Sequence, residues 1–258
     1  MLLTIDQGNT NTVFALFEGN ALRGKWRTAT DPRRTAEDYV VWFGQLLGDG
    51  GFAFGDLTEA VISTVVPQGL RALIELCRDH AKTEPLIVGP DLDLGIEIRI
   101  SHPDEVGADR LVNAVGAHSR HGGPLIVIDF GTATTFDSIG ERGDYLGGVI
   151  APGINLSLEA LHRAAAMLPR VAVERPKKVI GDGTISAMQS GIYWGYIGLI
   201  EGIVERMKEE IGTPLATLAT GGLAPLFAEA STAIDEVDEE LTIYGLLEIY
   251  RRNRPRPA

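Results

Sequence analysis

Ile5-Asp6-Gln7-Gly8-Asn9-Thr10-Asn11-Thr12 is echoed by Ile128-Asp129-Phe130-Gly131-Thr132-Ala133-Thr134-Thr135, 123 positions further along a chain of 258 residues. At that offset Ile5, Asp6, Gly8, Thr12 and Gly24 fall on Ile128, Asp129, Gly131, Thr135 and Gly147. Each copy follows a short apolar run, Leu2 to Ile5 and Leu125 to Ile128, that reads as a buried strand. Each then enters a turn built from Asp, a spacer, Gly and small hydroxyl or amide residues. Glycine lets a ligand approach the backbone closely. A carboxylate can hold a metal ion or its water, and Thr and Asn can donate to phosphate oxygens. One such turn alone also fits an ordinary Asp-capped β-turn. Two in phase, each opening half of the chain, point to an internal duplication. Two such turns facing each other across a cleft would clamp a nucleoside triphosphate.

Composition narrows the function classes. With 45% hydrophobic residues the chain can bury a large core. A net charge of −12 disfavours a nucleic-acid partner, which demands clustered positive charge. The basic run Arg251, Arg252, Arg254, Arg256 reads as a disordered tail. Cys77 is the single cysteine, so no intrachain disulfide forms, which suits a reducing cytoplasm. The start, Met1 to Asp6, lacks the charged segment of a signal peptide. No apolar run approaches the ~20 residues that span a bilayer.

Each half is expected to be a mixed sheet flanked by helices, in an α/β fold of two similar lobes, 1–121 and 122–258. Strands are expected at Leu2–Asp6, Asn11–Phe17, Leu22–Thr28 and Glu59–Val65, then at Pro124–Phe130, Thr134–Ile139, Asp144–Ala151 and Pro214–Ala219. Helices are expected at Thr35–Leu47, Gly69–Lys82, Glu105–His121, Ile154–Ala166, Thr184–Ile211 and Leu241–Arg252. Thr35 and Asp38 have the spacing of a capping box. His118 and His121 lack a third metal ligand and read as a solvated helix face.

Three strand-end turns carry the chemistry: Asp6 to Thr12, Asp129 to Thr135, and Ala219-Thr220-Gly221-Gly222. Ligands of open α/β sheets bind beyond the carboxyl ends of strands. Gly221-Gly222 is either a plain strand-to-helix turn or a loop bordering a nucleoside. Val106-Gly107-Ala108-Asp109-Arg110 opens a helix. Asp109 there either takes a proton from an attacking hydroxyl or complements the helix dipole. Arg110 is either a two-pronged anion holder or a surface charge.

These motifs, with Gly147-Gly148-Val149-Ile150-Ala151-Pro152-Gly153 and Thr220-Gly221-Gly222-Leu223-Ala224-Pro225, resemble type III pantothenate kinases. That family belongs to the acetate and sugar kinase/actin-like superfamily, and the resemblance runs from Met1 to about Tyr250. It implies two ribonuclease H-like lobes, a homodimer, ATP with Mg²⁺, a monovalent cation (K⁺ or NH₄⁺) and phosphorylation of pantothenate on the way to coenzyme A. It implies ATP contacts at Asp6, Gln7, Gly8, Asn9, Thr10, Asn11, Thr12, Val13, Thr132, Gly221 and Gly222. It places Mg²⁺ at Asp6, in part through water, and the monovalent cation at Asp129. Gly107, Ala108, Asp109, Arg110 and Thr184 would bind pantothenate, with Asp109 as proton acceptor. Thr184 also reads as a helix N-cap. The chain departs from the family where Ile100-Ser101-His102-Pro103 stands for the usual Tyr-Asp-Asn-Pro, and where Gln7 replaces a small apolar spacer. Two other readings remain at this point. One is a kinase for another hydroxy-acid or sugar; the other is a nucleotide-binding regulator, since relatives have been called Bvg accessory factors.

Overall fold

The computed structural model describes residues 1–164 and 168–254. It divides into two compact units. The first comprises Met1–Glu97, Ser101–Arg120 and the chain from Leu241 on; the second comprises Ile98–Ile100 and His121–Glu240. The final helix therefore counts with the first unit, whereas the sequence reading grouped it with 122–258.

The first unit is built on a five-stranded sheet. Its strands are β1 (Leu2–Gln7), β2 (Asn11–Glu18), β3 (Ala21–Ala29), β4 (Glu59–Thr64) and β5 (Leu86–Ile87), in the order β3-β2-β1-β4-β5. The β1–β2 and β2–β3 pairs are antiparallel; the β1–β4 and β4–β5 pairs are parallel. Leu3, Ile5, Ala60 and Ile62 pack with α1 (Ala36–Asp49) and α2 (Pro67–Glu75) into one core. Tyr39, Phe43 and Leu47 supply the buried stripe of α1, at the spacing an amphipathic helix requires. The Thr35–Asp38 capping box is formed on both sides. α2 gives way to a wider turn at Leu76–His80, which seats Cys77 in the core. The other face of the sheet carries α7 (Leu241–Asn253), which packs on β1 and β4 and brings Tyr244 onto Phe17. α3 (Ala108–His121) lies against α7 where two glycines let the helices close: a Cβ on Gly116 would stand 2.6 Å from the Leu241 carbonyl oxygen, and one on Gly245 2.2 Å from that of Val112.

The second unit repeats this plan with β6 (Leu125–Phe130), β7 (Ala133–Ile139), β8 (Tyr145–Pro152), β9 (Ala216–Thr220) and β10 (Glu236–Val237), in the order β10-β9-β6-β7-β8. Strand directions match the first unit pair for pair. Even the irregularity is repeated. A bulge interrupts β2–β3 between Leu16 and Phe17, and another interrupts β7–β8 between Ser138 and Ile139. α4 (Ile154–Ala164), the long α5 (Thr184–Ile211) and α6 (Ala224–Ala228) complete the unit. Tyr193, Ile197, Ile200 and Val204 of α5 pack on Ile126, Ile128 and Phe130 of β6.

Several expectations need correction. α6 and β10 went unread, because each is too short to show a period. Arg251 and Arg252 are ordered in the last turn of α7, where Arg251 donates to the Gly19 carbonyl and to Asn20; residues 255–258 of the expected tail lie outside the described residues, as do 165 and 166 of the expected α4. His121 is exposed as a residue, but its imidazole is engaged. Its side chain is 19% exposed, with Nε2 3.0 Å from Asp238 and Nδ1 3.4 Å from Glu236. The N-cap of α5 is Gly183 rather than Thr184, and Ser186 bonds back to its N–H at 3.1 Å.

Candidate active site

In the first unit the decisive fact is which face each side chain takes. Parallel β1 and β4 pair Asp6 with Ser63 and Gln7 with Thr64. Paired residues share a face, and successive residues alternate. Thr64 donates its hydroxyl to Gln7 Oε1 at 2.9 Å. Gln7 is fully buried beside Gly69, where a Cβ would stand 2.5 Å from its Nε2. That contact marks the face of α1 and α2. Asp6, one residue earlier, takes the face of α3 and α7 together with Val13, its partner on β2.

The turn between these strands is laced from behind. The Gly8 N–H donates to the Asn11 carbonyl at 2.9 Å. Thr30, just beyond β3, donates its hydroxyl to the Gly8 carbonyl at 2.8 Å, shares a 2.9 Å bond with the Thr12 hydroxyl and gives its N–H to the Thr10 carbonyl. Thr12 is therefore buried, with its hydroxyl engaged by Thr30. Asn9 and Thr10 stand exposed at the tip, with Gly8 and Asn11 half-buried beside them.

Gly107, Ala108, Asp109 and Arg110 form the start of α3, all half-buried. Asp109 accepts the N–H of Arg110 at 2.8 Å, and the Gly107 carbonyl accepts the N–H groups of Arg110 and Leu111. A Cβ at Gly107 would stand 2.6 Å from Asp109 Oδ1, so a side chain there would displace the carboxylate from its present rotamer. The same Cβ would touch Val65 at 3.8 Å, and the Val65 N–H donates to the Gln7 carbonyl at 3.1 Å. One residue thus links the end of β1 to the start of α3. Asp6 and the Asp109–Arg110 turn consequently share one face of one sheet edge, with the positive end of the α3 dipole beside them.

The second unit holds the sister turn, one residue tighter. Gln7 pairs with Thr12 across four residues, but Phe130 pairs with Thr134 across three. Thr134, not Thr135, is therefore the structural partner of Thr12. It too is buried, bonded at 2.5 Å to the Tyr196 hydroxyl, which donates to the Pro152 carbonyl at 2.8 Å. Tyr196 of α5 does here what Thr30 does in the first unit. The residue 123 positions beyond Thr30 is Gly153, whose Cβ would strike the Thr132 carbonyl oxygen at 2.2 Å. No side chain fits at 153, and the lacing hydroxyl comes from a helix instead. Thr132 is exposed at the tip, and Asp129 is half-buried at the end of β6.

Gly221 has φ +90 and opens the turn from β9 into α6. A Cβ there would stand 2.9 Å from Asp129 Oδ1 and 2.8 Å from the Phe130 carbonyl oxygen. The backbone N of Phe130 would lie 2.9 Å away as well, so the Gly221 turn is packed directly onto the end of β6 and the Asp129 carboxylate, with no room for a side chain. Gly222 follows, exposed. Thr184 is exposed at the first position of α5 and lines a cavity of about 470 Å³ with Leu161, Leu168, Ala187, Met188 and Ile192. Ile100 lies against β8, 3.4 Å from where a Gly147 Cβ would be, in a segment fixed by Arg99: its N–H reaches the Tyr145 carbonyl and its guanidinium the Asp144 carboxylate at 3.1 Å. Among the described residues no three His, Cys, Asp or Glu side chains converge on a metal position.

The chain that carries these turns is similar to known proteins over nearly its whole length. A profile of the type III pantothenate kinase family covers residues 2–206. The chain belongs to that family. The type III pantothenate kinase of Rhodospirillum rubrum is 60% identical over 99% of this chain and 100% of its own length. That of Paramagnetospirillum magneticum is 60% identical over 98% of both chains. A structure from Sinorhizobium meliloti assigned as a 2-dehydro-3-deoxygalactonokinase overlays with a TM-score of 0.63 at 15% identity, covering 100% of this chain and 98% of its own. The type III pantothenate kinases are phosphotransferases, and the two matching sheets make this member a duplicated actin-like fold. No helix among its described residues is long and apolar enough to cross a membrane.

Proposed function

We propose that this chain, in the cytoplasm, transfers the γ-phosphoryl group of ATP to the primary hydroxyl of pantothenate, and that Asp109 takes the proton from that hydroxyl. The observation that carries the reading is the shared face of Asp6 and the α3 start. A phosphate-facing carboxylate and a carboxylate beside an arginine flank one strand-end turn. Phosphoryl transfer depends on positioning and charge stabilisation, with a carboxylate to accept the acceptor's proton.

Gly8, Asn9, Thr10 and Asn11 hold phosphate oxygens through backbone and side chain, while Gln7, Thr12 and Val13 support the turn. Asp6 fits Mg²⁺, which keeps several waters and needs only one or two carboxylates beside the phosphates. When bound, Mg²⁺ neutralises charge on the triphosphate. Thr132 holds phosphate from the second turn, and Gly221 and Gly222 border the nucleoside. Asp129, a carboxylate at the end of β6 beside the second turn, would hold K⁺ or NH₄⁺. Arg110 pairs with the pantothenate carboxylate beside Gly107 and Ala108, and Thr184 is a further candidate pantothenate contact. A homodimer is supported by the apolar surface of the second unit, where Leu146, Val149, Ile150, Leu156, Leu161 and Ile185 are exposed. The test is ADP release from Mg²⁺·ATP with and without pantothenate. Release that depends on pantothenate is expected; release indifferent to it would overturn the reading.

A further inference from the structure

Ser63 closes β4 directly opposite Asp6. The next pair along, Gln7 with Thr64, touches at 2.9 Å on the face of α1 and α2. Ser63 therefore projects with Asp6 to the face of α3 and α7. It is 0% exposed, and its hydroxyl has no hydrogen-bond partner among the described residues. Buried hydroxyls normally find a partner, because leaving one unmade forfeits its hydration. An apolar residue would fill this place without that penalty. The second unit also places a hydroxyl at the equivalent point: Asp129 pairs with Thr220, itself buried, at the end of β9. Each acidic turn thus carries a strand-end hydroxyl across from its carboxylate.

We propose that Ser63 is a positioning residue for Asp6. Its hydroxyl donates to the Asp6 carboxylate in the nucleotide-bound state and holds that carboxylate toward Mg²⁺·ATP. A serine hydroxyl swings about a single bond, and a carboxylate offers several acceptor positions. A bond to a charged acceptor is the stronger kind. This inference rests on Asp6 being the carboxylate that faces Mg²⁺·ATP.

Ser63→Thr and Ser63→Val test it. They have nearly the same shape, both suit a strand, and they differ only in the hydroxyl. Binding of Mg²⁺ with a non-hydrolysable ATP analogue is measured by calorimetry, with Mg²⁺ titrated at fixed nucleotide, and melting is followed without ligand. Ser63→Thr is expected to bind like the wild type and Ser63→Val about tenfold more weakly, as loss of a charge-assisted hydrogen bond implies. Without ligand, Ser63→Val is expected to melt at or above Ser63→Thr, since it buries no unpaired hydroxyl. A merely structural role would lower the melting of Ser63→Val and leave the Mg²⁺ dependence alone. Equal affinity of the Thr and Val variants overturns the proposal while leaving the kinase reading intact. Failure of the wild type to bind the analogue removes both. Should the Val variant not fold, Ser63→Ala replaces it in the same comparison.

Discussion

Asp109 is held still by its own helix: the N–H of the next residue donates to its carboxylate at 2.8 Å, and Gly107 leaves the room that this needs. Asp109→Asn keeps the shape and loses the proton acceptance. Turnover is expected to fall about 10²–10⁴-fold with an unchanged melting curve, and near-normal turnover would remove Asp109 from the role. Arg110→Lys keeps charge but loses the two-pronged geometry. It is expected to raise the KM for pantothenate about tenfold and to spare that for ATP; the reverse pattern would mean that the two substrate sites are interchanged. Cys77 is read as inert. Burial, helped by nearby Glu84, pushes its thiol up to about 12. The folded protein is therefore expected to resist iodoacetamide at pH 8 and to label once unfolded. The motif residues were legible because each bears chemistry at a strand or helix end. Thr30, Ser63 and Tyr196 were not, since a lone Thr, Ser or Tyr carries no local signal and meets its turn only through long-range pairing.

The two hairpin turns are related elements that have drifted apart by one residue. The sequence offset aligned Thr12 with Thr135, yet strand register aligns it with Thr134. The missing residue is regained at the next hairpin, where Phe17 and Leu22 enclose four residues but Ile139 and Tyr145 enclose five. Gly24 and Gly147 therefore match at the original offset. A fixed offset can show duplication while concealing two compensating changes, because side-chain patterns repeat every second residue and loops have no period. Thr30→Val removes one hydroxyl that ties β2 to the Gly8 turn. It is expected to weaken ATP binding roughly tenfold and spare pantothenate; calorimetry with each ligand decides. Gly221→Ala would set a methyl group on Asp129 and the Phe130 carbonyl. The wild type is expected to be slow in sodium buffer and restored by potassium, and the Ala variant to lose that restoration. A wild type indifferent to the cation would take Asp129 out of the metal role.

At the scale of the whole molecule, most long elements were legible: α1 has an apolar stripe of Tyr39, Phe43 and Leu47, and the hairpins have turn residues. Membership of α7 was not. Its apolar face fits any open sheet, and only the three-dimensional pairing of Gly116 with Leu241 and Gly245 with Val112 selects the first unit. The exposed apolar residues of the second unit make a further expectation. Ile150, 63% exposed on β8, replaced by Glu should convert a dimer to a monomer in sedimentation; a wild type that sediments as a monomer would remove the dimer.

The placement of α7 also has a consequence for synthesis. A ribosome releases β1 to α3 first, but the face bearing Thr4, Asp6 and Ser63 lacks α7, which packs on β1 and β4, until some 120 residues later. The second unit, nearly continuous from His121 to Glu240, is complete before then. The nascent chain is thus expected to mature from its middle outward, against the usual N-terminal-first order. A chain ended at Glu240 and released from the ribosome should keep a protease-resistant second unit attached to a cleavable first one.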